Sequence, residues 1–335
     1  MNMSPGNIQE LSDHLAKANA SGEPIGSFDL GALNQVRSYS PEDMTVTVEA
    51  GMSLVELQSL LIPKGQWLPL DPPNADLWSL GELINNNPSG PRRNGNGVLR
   101  DYVIGLEAVR ADGQIIKSGG QVVKNVAGFD LCKLFIGAGG SLGVVTSMTF
   151  KLVPLPEKEH IFSLELDSLD ALTDCLNQLR TLHHEVIPSV FDFQREGAAV
   201  NRETHRFGKL IVGYAGKKEA VDQWSGDLMQ SGRPWQEDSC YEKGAEAALP
   251  PLLYHERKFW ANRSWKESTL ESMLPNRLPE WIAGMPSRHD LLVRMGQGSA
   301  YHFGSRKNVA PTRVSVLEER MKQTFDPNGI LPSLP

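Results

Sequence analysis

Three stretches of this chain combine glycine with small side chains and amides. They are Ser79-Leu80-Gly81 through Asn85-Asn86-Asn87-Pro88-Ser89-Gly90-Pro91-Arg92-Arg93, Gly119-Gly120 through Lys124-Asn125-Val126-Ala127-Gly128-Phe129-Asp130, and Gly137-Ala138-Gly139-Gly140-Ser141-Leu142-Gly143. Residues 81–143 hold 13 of the 31 glycines, well above an even share. Glycine lets a main chain turn sharply or approach a ligand closely. Small residues with amide donors therefore suit an elongated, phosphate-bearing cofactor held largely by backbone. The third stretch enters a strand, whereas a dinucleotide fingerprint follows a strand and opens a helix, and a P-loop needs Gly-Lys-Ser/Thr. The order fits neither.

Acid–base and ligand groups are sparse. The eight histidines are His14, His160, His183, His184, His205, His255, His289 and His302, with no His-x-His or His-x-x-His pair, so no metal site is expected. Adjacent on a helix, His183 and His184 would point to different sides, as at a solvated helix end. His302, between Tyr301 and Phe303 on an expected strand, is the best single candidate for a catalytic base. Arg92-Arg93 suits a carboxylate or phosphate site, or a surface charge pair. Cys132, Cys175 and Cys240 form no CxxC and offer no cluster or zinc site; they read as reduced thiols of a cytosolic protein.

The elements that must position these groups alternate. Ile8, Leu11, Leu15 and Ala18 mark an amphipathic first helix. Thr45 to Glu49 alternates as a strand, and Ser53 with Glu56 reads as a capping box opening a helix to Leu61. A further helix starts near Ser79. Tyr102 to Arg110 reads as a strand turned by Asp112-Gly113 into Gln114 to Lys117. Asp130 to Ile136 has a helical pattern, and Leu142 to Val153 is a long β run ended by Pro154 and Pro156. Beyond it, strands are expected at Ile161 to Leu166, Val190 to Phe193 and Leu210 to Tyr214. Helices are expected at Leu169 to Leu182 and Glu219 to Gln230, with a last one from Thr312 to Phe325. Five of the seven tryptophans lie beyond residue 200, which makes this half the natural home of a substrate or partner surface, or simply of a small aromatic core.

With 335 residues, 33 Lys+Arg against 40 Asp+Glu and a net charge of −7, the chain has the make-up of a two-domain globular protein. The acidity argues against nucleic acid as the main partner. The first ten residues show no secretory signal, and no apolar run is long enough for a transmembrane segment, so a cytoplasmic location is expected.

The phrases Gly-Pro-Arg-Arg, Arg-Asp-Tyr-Val-Ile-Gly, Val-Lys-Asn-Val-Ala-Gly-Phe-Asp-Leu and Ser-Leu-Gly-Val-Val-Thr fall between Val46 and Pro156. This stretch resembles the FAD-binding domain of the vanillyl-alcohol oxidase/p-cresol methylhydroxylase (PCMH) type. Within that family it is most similar to the E-type subunits of glycolate oxidase. Phe325-Asp326-Pro327-Asn328-Gly329-Ile330 resembles the family's C-terminal signature. The resemblance implies an α+β fold: a PCMH-type FAD-binding domain of two α+β subdomains, over residues 1–156 with 311–335, and an α+β cap over 157–310. It places Gly81, Ser89 and Gly90 near the cofactor's pyrophosphate and ribityl region. Lys124, Asn125, Gly128, Phe129 and Asp130 would lie toward the flavin, and Leu142, Gly143, Val144 and Val145 toward the adenine half. Arg100 and Asp101 match the family's Arg-Asp phrase.

Two positions depart from the family pattern. The glycine-rich pyrophosphate loop is deleted where Pro24-Ile25-Gly26-Ser27 runs straight into Phe28-Asp29-Leu30, and the family's second glycine after Leu80 is Glu82. Losing such a loop removes charge-assisted hydrogen bonds worth roughly 1.5–3 kcal/mol each. The resemblance implies a subunit of a flavin-dependent 2-hydroxy-acid (glycolate-type) dehydrogenase. Its FAD would be non-covalent, and it would assemble with a second flavin subunit and an iron–sulfur subunit that attach it to a membrane if anything does. Oxidation of a small 2-hydroxy acid calls for a cationic carboxylate clamp and a base, commonly Arg and His. The alternative is a scaffold subunit of the same fold that binds flavin weakly or not at all.

Overall fold

The computed structural model describes residues 2–120, 130–182, 186–197, 207–243, 259–261, 263, 267–303 and 316–334. The first unit contains β1 (Asn2–Met3), α1 (Ile8–Ser21), β2 (Ser27–Phe28), β3 (Val36–Ser40), β4 (Thr45–Glu49), α2 (Leu54–Leu61), β5 (Gln66–Trp67) and α3 (Leu80–Asn86). It continues with α4 (Arg93–Asn96), α5 (Leu99–Tyr102), β6 (Val103–Val109), β7 (Ile115–Gly119), α6 (Cys132–Phe135), β8 (Val144–Lys151) and β9 (Val153–Pro154).

Local chemistry sets these boundaries. Asn7 caps α1 by accepting from Glu10 N, and Gly22, at φ 66°, closes it. Ser53 with Glu56 and Ser79 with Glu82 form complete capping boxes on α2 and α3. The antiparallel sheet runs β3-β4-β8-β6-β7. Its central strand β8 is buried from Val144 to Phe150, because α2 and α3 cover one face while Arg37, Glu107 and the Thr47–Thr149 pair occupy the other.

The second unit holds β10 (Lys158–Leu166), α7 (Leu169–Leu182), β11 (Val190–Arg195), β12 (Gly208–Gly216), α8 (Lys218–Met229), β13 (Gln236–Glu242), β14 (Thr269–Ser272), the helix Leu278–Gly284, β15 (Asp290–Arg294) and β16 (Ser299–Phe303). Its antiparallel sheet runs β13-β10-β12-β11-β15-β16-β14. Phe162, Leu164, Phe193, Leu210, Val212, Val293 and Ala300 line one face, under the helices. Strand alternation turns Glu159, Ser163, Asp192, Arg294 and Tyr301 to the other. That polar face meets the first unit: Arg92 pairs with Glu159, Arg294 Nη2 donates to Ser89 O at 3.4 Å, and Asn94 Nδ2 donates to Pro188 O at 2.7 Å.

The C-terminal helix Val316–Phe325 returns to the first unit, where Phe325 meets Phe135 edge-on at 5.9 Å. Ile330 and Leu331 join Leu11, Leu15 and Ile25 in a second small core. The expected elements that fall on described residues are all present. The start of the expected last helix, and His183-His184, lie outside the described residues.

Candidate functional site

A cleft of about 330 Å³ opens between Ser27–Gly31, the start of α3 and the stretch Gly139–Val145. Phe28, Leu30, Val144 and Val145 give it apolar walls; Ser27, Ser79 and Asn85 add polar groups. Gly81 packs closely here: a Cβ would lie 3.1 Å from both Cβ and O of Ala50, whose carbonyl accepts from Gly81 N at 2.8 Å. Gly140, at φ 78°, needs the left-handed backbone that glycine supplies.

The main-chain donors around this cleft are largely taken up by the protein itself. At the start of α3, Leu80 N donates to Met52 O, Gly81 N to Ala50 O and Glu82 N to Ser79 Oγ, while Ser79 N and Oγ both donate to Glu82 Oε2, at 3.0 and 2.9 Å. Along the opposite wall, Ile25 N donates to Ile330 O, Asp29 N to Met3 O and Gly31 N to Asp29 Oδ1. Gly137 N and Gly139 N go to Ile84 O and Asn85 O. The charged residues lining the cleft are Asp29 and Glu82, both acidic. Lys322 reaches Ser141 O nearby, but its ammonium is held by Asp326 at 2.6 Å and by the carbonyls of Leu331 and Pro332.

The structure brings some of the expected residues together and separates others. Gly81, Gly143, Val144 and Val145 line the cleft. Leu142 instead sits in the core, 3% exposed. Ser89 and Gly90 border a separate and very small space with Asp71 and Arg93, and Gly90 is packed so tightly that a Cβ would fall 1.9 Å from Asp71 O. Asp101 serves its own loop by accepting from Val98 N at 2.8 Å, and Arg100 is exposed beside it. Asp130 is exposed and lies 3.8 Å from Lys133. Lys124, Asn125, Gly128 and Phe129 lie outside the described residues.

One expectation needs correction, and a second candidate lies away from the cleft. Arg92 is neither a surface charge nor an open anion site, being 3% exposed between Asp71 and Glu159 and 5.4 Å from the Trp67 ring centroid. Burial works against its charge, and Glu159 and Asp71 more than compensate, raising its pKa. His302 is not brought to the face that meets the first unit. Alternation along β16 points Tyr301 and Phe303 that way and leaves His302 against Trp281 and His289, with Nε2 3.0 Å from Glu271 Oε1. Burial and the neighbouring His302 lower the pKa of His289. The buried pair Arg294–Asp192, beside Ser89, was not among the sequence candidates; an arginine in an apolar strand was the signal that could have found it.

Residues 24–119 match the FAD binding domain family. The chain is 37% identical over 161 residues to glycolate oxidase subunit GlcD of Bacillus subtilis, covering 48% of this chain and 34% of that one. It is 31% identical over 156 residues to glycolate oxidase subunit GlcE of Escherichia coli, covering 46% and 45%. D-2-hydroxyglutarate dehydrogenase of Stutzerimonas stutzeri is 30% identical over 158 residues, covering 47% and 34%. The matched segments thus span less than half the length of these relatives. An alkyldihydroxyacetonephosphate synthase structure shares the fold, with TM-score 0.66 at 16% identity over 98% of this chain and 76% of that one.

These matches support FAD as the cofactor. The cleft combines apolar walls and close backbone with two acidic lining residues, Asp29 and Glu82. Residues 24–119 of this α+β chain match an FAD binding domain, a likeness in keeping with the vanillyl-alcohol oxidase/p-cresol methylhydroxylase type of fold.

Proposed function

We propose that this chain is a subunit of a flavin-dependent 2-hydroxy-acid dehydrogenase complex of the glycolate oxidase kind. The observation that carries the reading is the likeness of its FAD-binding domain to two glycolate oxidase subunits and to a D-2-hydroxyglutarate dehydrogenase. In this reading residues 1–156 with 311–335 form the cofactor domain and 157–310 the cap. Gly81, Gly143, Val144 and Val145 face the cofactor with the segment Lys124–Asp130, and His302 serves the cap's own packing.

Among the described residues no group of His, Cys, Asp or Glu is arranged to hold a metal. In this reading the chain works with a second flavin subunit and an iron–sulfur subunit, as the likeness to glycolate oxidase subunits suggests, with a small 2-hydroxy acid as substrate. No helix among the described residues is long and apolar enough to cross a membrane. The complex would work on the cytoplasmic side, with any membrane attachment through its partners.

A second reading, a scaffold that positions the catalytic flavin subunit, is favoured by the donor accounting at α3. Co-expression with a second flavin subunit tests both. Copurification with glycolate- or D-lactate-dependent dye reduction by the assembled complex is the expected result. Failure to copurify would overturn both readings. Dye reduction by the isolated chain would overturn the scaffold reading alone.

A further inference from the structure

A second cleft, of about 520 Å³, lies on the helix side of the seven-stranded sheet, between α7 and the segment Pro275–Glu280. Phe191, Tyr214 and Met295, which belong to the helix-covered core, form its sheet wall, and Leu169 and Leu176 of α7 join them. Apolar surface continues past its edge. Ile187 and Leu274, next in sequence to lining residues Pro188 and Pro275, are 74% and 69% exposed. The polar lining is concentrated on α7, where Thr173, Asn177 and Arg180 follow one another at helical spacing and are exposed. Thr173 Oγ1 donates to Leu169 O at 3.0 Å, whereas the Asn177 amide and the Arg180 guanidinium have no hydrogen-bond or ion-pair partner among the described residues. The one acidic lining residue, Glu280, is already paired with Arg277 at 3.2 Å. Arg180 is therefore the unbalanced charge of an otherwise apolar space.

We propose that this cleft binds an amphipathic monocarboxylate, its aliphatic tail against Leu169, Leu176, Phe191 and Met295 and its carboxylate on Arg180 and Asn177. The tail supplies affinity by leaving water, and the guanidinium selects the head group. An alcohol of the same length keeps the tail contacts but loses the charge-assisted hydrogen bonds, and an amine meets Arg180 as a like charge. Asp192 and Arg294 stand on the opposite face of the sheet, the one that meets the first unit. The sheet thus separates this ligand from that face, so it is a second small molecule and not the 2-hydroxy acid of the proposed reaction.

The site depends neither on flavin nor on a second subunit. Calorimetric titration of hexanoate, octanoate, octanol and octylamine into the full chain at neutral pH tests it. Octanoate is expected to bind once per chain and roughly tenfold more tightly than octanol, with octylamine weakest. Hexanoate should bind roughly tenfold more weakly than octanoate, because two fewer methylene groups are buried. Arg180→Gln should bring octanoate down to the level of octanol and leave octanol unmoved. Thr173→Trp, at an exposed position of α7, should fill the cleft and abolish binding of all four. Arg180→Gln decides the matter alone if the tryptophan variant fails to fold. The proposal is overturned if octanoate does not bind, if octanol or octylamine binds as tightly, if hexanoate matches octanoate, or if either folded variant leaves the octanoate affinity unchanged.

Discussion

Arg92, in the glycine-rich segment of the first unit, and Glu159, at the start of the second unit's sheet, form a buried bidentate pair, with Arg92 Nε 2.9 Å from Glu159 Oε1. Asp71 shares the guanidinium from the first unit's side, at 3.6 Å from Nη1. One arginine thus ties the polar face of the seven-stranded sheet to the first unit, and the second unit's seating depends on it.

Removing Glu159 leaves the buried Arg92 with only the more distant Asp71 carboxylate to balance it, so Glu159→Leu is expected to cost up to roughly 3–5 kcal/mol. Arg92→Met together with Glu159→Leu should cost clearly less than the two single changes added together. Urea unfolding of the three variants measures the coupling, and simple additivity would refute it.

Gly90→Ala places a Cβ 1.9 Å from Asp71 O and 2.1 Å from Asp71 Oδ1, which forces apart the loop that holds Arg92. A loss of roughly 1–3 kcal/mol is expected, read as a lower thermal midpoint. A midpoint like the parent's would show that Asp71 yields freely.

Lys322 binds Ser141 O, Leu331 O and Pro332 O while pairing with the buried carboxylate of Asp326, which also accepts from Ile330 N and Leu331 N. Lys322→Met should loosen residues 326–334 before the rest of the chain, at a cost of roughly 1–3 kcal/mol. Hydrogen exchange at the Ile330 and Leu331 amides measures this, and unchanged protection there would contradict it.

Stability should fall in alkali. Burial, with a smaller contribution from Asp101, pushes Tyr102 up to about 12, and burial likewise raises Tyr214. A tyrosine whose folded pKa lies above its unfolded value of 10.0 stabilises the fold fully below pH 10. It loses that contribution as pH rises from 10 to about 12. Urea midpoints across this range should drop, and Tyr102→Phe should flatten the drop; an identical slope in the variant would assign the loss elsewhere.

Any flavin should come away with acid. His14 is the one histidine before residue 156, and it stands on α1, outside the residues that line the cleft. Acid precipitation is expected to leave the pellet colourless, and retained colour would mean a covalent link.

What could be read from the chain itself was set by near neighbours. Ser53 with Glu56 opens a helix because a side chain three residues ahead reaches the N-cap amide, and the turn at Asp112-Gly113 follows from a glycine that accepts φ 83°. The phrases from Val46 to Pro156 carried the cofactor class through their resemblance to an FAD-binding family. Three matters depended on the folded chain. Arg92 and Arg93 look alike in sequence, and only the packing of β10, 67 residues away, buries the first against Glu159. His302 was assigned to a strand, but which face of that strand meets the first unit is decided by the side on which the helices pack. Glu82 stood out by its type, yet whether its carboxylate met a ligand or turned back onto Ser79 was a question of rotamer and cap geometry. Charge, burial and facing are set by groups distant in sequence, so tertiary structure decided how this site is lined.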